Sequence, residues 1–204
     1  MIANSPCPYA NRGTYTLVGP MQGLELADGE LDRLAAALNE SREPAVQDRV
    51  DAVALYAREA PDCTLTDVAA FLRDTLDGLR ARDDTNPNLI AAELAADERN
   101  WEFEYKGVRY FLPVFSSVYA EKHPRYSGIP GWSMILFQPG WSFNRFGISR
   151  HRKNRVGLSA QVASVFAAHG IHYEIESATA WYKATRYIKP LAEGDEPVRW
   201  WVGE

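Results

Sequence analysis

Four histidines, two cysteines and a cluster of arginines carry most of the chemistry open to this 204-residue chain. His123 sits in the stretch Glu121-Lys122-His123-Pro124-Arg125-Tyr126, so an imidazole and a guanidinium share one turn-rich loop. Pro124 stiffens the loop directly after the ring, which suits a metal ligand; the alternative is a ring that is only solvated or hydrogen-bonded. His151 is the rival ligand. It lies in a basic island of Arg145, Arg150, His151, Arg152, Lys153 and Arg155, where neighbouring cations favour the neutral ring. Cys7 is a third candidate ligand, and equally a small buried hydrophobe. His172, Glu174 and Glu176 alternate, so on a strand they would share a face, able to hold a divalent ion or simply open to solvent. The chain contains no GxGxxG, no Walker loop, no HExxH and no G-x-S-x-G, and readings as a nucleotide-binding protein, zinc protease or α/β-hydrolase therefore lack an anchor.

The elements that must position these groups centre on Trp101 to Phe143. Trp101, Phe103 and Tyr105 alternate with Glu102 and Glu104, and Lys106-Gly107 supplies a two-residue turn. That register sets Phe103 opposite Tyr110, Glu104 opposite Arg109 and Tyr105 opposite Val108. The His123 loop follows, and then an apolar strand from Trp132 to Gln138. Thr14 to Val18 and Val50 to Tyr56 read as further strands. A helix is expected from an Asp28 cap, with Leu31, Leu34 and Leu38 on one stripe. A second begins at Thr64 with Asp67 in capping-box spacing and carries Val68, Phe71, Leu72, Leu76 and Leu79. Leu89 to Asp97 reads as a brief helix, Val156 to Phe166 as a helix closed by Gly170, and Ile171 to Ile175 as a strand. The tail is rich in Trp, Tyr and Arg, which suits a cap on the core edge or an interface, including that of a homodimer. The sum is an α+β fold, a single domain over 1–204, with a largely antiparallel sheet and flanking helices.

Composition sets outer limits. With 46% hydrophobic residues the chain can bury one full core. It has no apolar run of membrane-spanning length and no signal-like start, so the expectation is a cytoplasmic protein without membrane contact. Two cysteines without CxxC spacing argue for reduced thiols. The net charge of -5 divides into an acidic first half and a basic second half, a balance unlike that of a general nucleic-acid binder.

Five stretches, in order along nearly the whole chain, resemble the YqcI/YcgG family. They are Pro6-Cys7-Pro8-Tyr9, Trp101-Glu102-Phe103, His123-Pro124-Arg125, Phe137-Gln138-Pro139 and Arg186-Tyr187-Ile188-Lys189-Pro190. Some members of that family are heme proteins that hydroxylate a guanidine or amine nitrogen. The resemblance therefore implies heme b, O2, a small amine or guanidine substrate, and electrons from an external reductase or ferredoxin. On that implication His123 would be the axial iron ligand, with His151 or Cys7 as alternatives. Arg125, Arg145, Arg150 and Arg152 would meet the heme propionates, and Phe103, Tyr110, Trp132 and Phe137 would line an apolar slot for the porphyrin. The alternatives are a heme-binding sensor or carrier without turnover, and a metal-free module whose basic island binds an anion or a protein partner.

Overall fold

Local chemistry fixes the most regular elements. In the computed structural model, which describes residues 7, 10–43, 50–86, 88–90, 101–145, 152–174 and 183–203, the Thr64 side chain accepts the Asp67 N–H and the Asp67 carboxylate accepts the Thr64 N–H. This reciprocal cap opens the helix Leu65–Arg80, whose buried stripe is Val68, Phe71, Leu72, Leu76 and Leu79. The helix Asp28–Glu40 starts one residue earlier than the sequence predicts. Its cap is Ala27, whose N–H donates to Glu30 (3.0 Å), because Asp28 turns outward to the Arg82 guanidinium at 2.8 Å. In order, the elements are β1 (Tyr15–Met21), α1 (Asp28–Glu40), β2 (Ala52–Arg58), α2 (Leu65–Arg80), β3 (Phe103–Tyr105), β4 (Val108–Phe111), β5 (Val114–Phe115), β6 (Trp132–Pro139), α3 (Gly140–Arg145) and α4 (Arg152–Ala168).

The six strands form one mixed, mostly antiparallel sheet in the order β1-β2-β6-β4-β3, with β5 also on β6. Only β1 and β2 run parallel, joined by a crossover that contains α1. β6 is the central member: β2 pairs along one edge, while β5 and β4 share the other in succession. The hairpin takes the expected register, with Phe103 opposite Tyr110, Glu104 opposite Arg109 and Tyr105 opposite Val108. Its turn places Lys106 at φ 47° and Gly107 at φ 80°, both in the left-handed region that a two-residue hairpin loop demands.

Phe103, Tyr110 and Phe137 pack on one another with ring centroids 6.1–6.5 Å apart, and Trp101, Tyr187 and Trp200 extend this aromatic core. The tail thus caps the core: Trp200 is 1% exposed, and its indole N–H donates to the Ala184 carbonyl at 2.8 Å. Ile171 to Glu174 is not a strand, a departure from the sequence expectation. The alternation there reflects separate destinations. Tyr173 packs on Phe166, His172 meets Glu193, and Glu174 reaches Lys189. The expected helix from Leu89 to Asp97 lies mostly outside the described residues. Among those described, no helix is long and apolar enough to cross a membrane.

Candidate functional site

Beyond β5 the chain leaves the sheet and returns to it. The Ser116 N–H donates to the Arg125 carbonyl (3.0 Å) and the Ser127 N–H donates to the Ser116 carbonyl (3.1 Å), closing the loop 117–126 at its base. A carboxylate pins that base. Glu59, which follows β2 and is 7% exposed, accepts the hydroxyls of Ser116 and Ser133 at 2.6 Å each, the Ser117 N–H at 3.0 Å, and the Ser117 hydroxyl in a very short contact. The Ser117 hydroxyl in turn accepts the Gly131 N–H at 2.9 Å, and the Glu59 N–H donates to the Gly131 carbonyl. No cation pairs with Glu59 among the described residues. Four donors therefore take the place of a counter-charge.

Inside the loop, His123 is half-buried and lies flat on Tyr119, with centroids 4.3 Å apart and planes 4° from parallel. Tyr119 is anchored by its own hydroxyl, which donates to the Lys189 carbonyl at 2.8 Å. The His123 Nδ1 accepts the Arg125 N–H at 3.1 Å, which leaves the proton of the neutral ring on Nε2. Burial, aided by the charges of Arg125 and Lys189, pushes its pKa down to about 4.

Arg125 is the centre of a cationic group. Its guanidinium donates to the Arg186 carbonyl at 2.8 Å and rests 5.2 Å from the centre of the Phe115 ring. Burial lowers its pKa, opposed by Tyr173, Tyr119 and Cys7 within electrostatic reach. Arg186 lies over Phe111 at 5.1 Å. Lys189, 7% exposed, holds Glu174 at 3.1 Å with Tyr173 beside it, and its pKa is lowered first by burial and then by the Arg125 charge. Glu174 is the carboxylate that pairs with Lys189, and among the described residues none pairs with Arg125.

The structure brings Cys7 into one neighbourhood with His123 and Arg125, which lie more than a hundred residues further along the sequence. The other expected site residues go elsewhere. Arg145 is committed to the buried Asp51 at 3.2 Å, at the end of β2 opposite Glu59. Phe103, Tyr110 and Phe137 are 0%, 1% and 0% exposed, so they fill the core under the hairpin and do not line a slot. Trp132 packs on Tyr56 and under Arg58. Arg150 and His151 lie outside the described residues, as does the Arg152 side chain. Among the described residues no group of three or more His, Cys, Asp or Glu could hold a metal ion.

Sequence reasoning missed Glu59, Tyr119, Lys189 and the Ser116, Ser117 and Ser133 hydroxyls. The available signal was small polar residues inside otherwise apolar strands: Ser116-Ser117 closing β5, and Ser133 inside β6. No family model, curated protein or solved structure matches this chain.

Proposed function

We propose that the protein binds a small anionic molecule, with Arg125 as its principal contact and Lys189 and Arg186 supplying the surrounding positive potential. One observation carries this reading. Arg125 is a half-buried guanidinium whose pKa is lowered by desolvation, whose partners are a carbonyl and the Phe115 ring, and which no carboxylate pairs among the described residues. A guanidinium drawn partly out of water normally finds a carboxylate or phosphate, because its fork of donors is costly to desolvate without a counter-charge. A ligand carboxylate or phosphate restores that balance.

The test is a titration with acetate, pyruvate and inorganic phosphate, followed by calorimetry or by NMR shifts of the Arg125 side chain. Arg125→Met abolishes binding on this reading, while Arg145→Met, which loses its Asp51 pair, leaves the affinity unchanged. Binding that survives Arg125→Met refutes it.

A second reading is the heme oxygenase implied by the YqcI/YcgG resemblance, acting on an amine or guanidine. It is favoured by the convergence of three resembling stretches, represented by Cys7, His123-Pro124-Arg125 and Arg186 to Pro190. Heme would supply the oxygen chemistry, and Arg125 and Lys189 would meet its propionates. His123 would be the iron ligand, with Cys7 as the alternative in this neighbourhood. Hemin titration of the wild type beside His123→Ala and Cys7→Ser decides the matter: a Soret band that requires one of these residues supports this reading, and no band at any ratio removes it.

A further inference from the structure

Lysine is among the residues least often buried, since its ammonium is strongly hydrated. The chain has five lysines. Lys106 and Lys183 serve surface or near-surface ion pairs with Asp84 and Glu102, and Lys122 donates to the His169 carbonyl. Lys189 is different. It is 7% exposed, and its backbone is held on both sides: the Tyr119 hydroxyl donates to its own carbonyl, and the Val114 N–H donates to the carbonyl of Tyr187 two residues before it. Its amine is therefore delivered to a defined place. There it has a carboxylate at 3.1 Å in Glu174, an aromatic neighbour in Tyr173, and the Arg125 guanidinium within electrostatic reach.

These are the parts that amine nucleophiles use. A desolvated lysine beside another cation gives up its proton more readily than a surface one, and for Lys189 burial and the Arg125 charge act in that direction and outweigh the opposing pull of Glu174. Glu174 is placed to receive the proton. We propose that Lys189 forms an imine with the carbonyl group of a small oxo acid whose carboxylate is held by Arg125.

The step balances as follows. Glu174 takes one proton from the Nζ ammonium, and the freed lone pair attacks the carbonyl carbon, making the C–N bond as the π electrons move to oxygen. Proton transfer from nitrogen to that oxygen gives a neutral carbinolamine. Glu174 returns its proton to the hydroxyl, the C–O bond breaks, and water leaves with a protonated imine on Lys189. No oxidant or reductant is consumed. The proposal rests on the anion reading of Arg125 for its choice of oxo acid.

The experiment is reductive trapping on the full chain. The protein is incubated with pyruvate and cyanoborohydride, and in parallel with methyl pyruvate, the uncharged ester. Peptide mapping then gives labelling at Lys189 relative to the other four lysines within each reaction. The expected result is a preference for Lys189 on the order of tenfold with pyruvate and a much smaller one with the ester. Lys189→Arg removes the adduct, and Glu174→Gln slows its formation while pyruvate binding persists. Equal preference with both reagents keeps the imine but refutes the role of Arg125 as carboxylate holder. Pyruvate that binds without favouring Lys189 overturns the imine and leaves the anion site standing. Neither binding nor preference overturns both.

Discussion

Replacing Glu59 by alanine tests the node that holds the loop to the sheet. The carboxylate accepts the Ser116, Ser133 and Ser117 hydroxyls and the Ser117 N–H. Hydrogen bonds to a charged group contribute about 1.5 kcal/mol or more each, so four sum to about 6 kcal/mol. Against this stands the cost of keeping an ion out of water, several kcal/mol, which the mutation relieves. The alanine also leaves a small void and a part-buried Ser117 N–H without its acceptor, at roughly 1–2 kcal/mol. The expected net loss is about 4 kcal/mol, and for a domain of this size that lowers Tm by about 8–16 °C. Glu59→Gln keeps one accepting oxygen and loses about half as much. Thermal and urea unfolding followed by circular dichroism measures both, and hydrogen exchange at the Ser117 amide reports whether the loop base opens first. A Tm drop below about 3 °C for Glu59→Ala, with an unchanged urea slope, refutes the idea that this carboxylate bears the loop's attachment.

Two further outcomes follow from the titrating groups. The His123 imidazole has a folded pKa of about 4 against 6.5 as its ordinary value, so its contribution to stability is fully present above 6.5 and is lost as pH falls toward 4. In that window the unfolded chain binds more protons, and unfolding near pH 5 takes up about one proton more in the wild type than in His123→Ala, as measured by the pH dependence of stability; direct NMR titration showing the ring to titrate near 6.5 contradicts the burial argument. Cys63 is raised to about 12, by burial first and then by the Glu59, Asp67 and Asp62 charges. Iodoacetamide at pH 8 therefore alkylates it far more slowly than it does glutathione, and comparable rates would show the thiol to be solvated.

The parts of this fold that could be read in the sequence are those fixed by short-range chemistry. The Lys106-Gly107 turn dictates the hairpin register through backbone angles alone, and the Thr64–Asp67 pair caps α2 within four residues. His123 and Arg125 were legible as a pair because they share a loop. Where partners lie far off, the pattern misleads. His172, Tyr173 and Glu174 alternate like a strand, yet their partners are Glu193, Phe166 and Lys189. Arg145 reads as part of a basic island facing solvent, while Asp51, ninety-four residues away, claims it. Glu59 is the extreme case: a single acid after an apolar strand looks like the first solvated residue, and its partners stand 57 to 74 residues further on.

Ser116 joins two parts of the site. Its hydroxyl donates to Glu59, and its N–H donates to the carbonyl of Arg125. The hydroxyls of Ser116, Ser117 and Ser133 and one amide satisfy Glu59, so the acid fastens the loop base to β2 and β6, and that same base carries the Arg125 backbone. Replacing Ser116 and Ser133 together by alanine removes two of the donors to Glu59 and loosens the strut that positions Arg125. The affinity for pyruvate or phosphate falls in that variant although no residue touching the ligand has changed, and an unchanged affinity would show that Arg125 is positioned independently of this node.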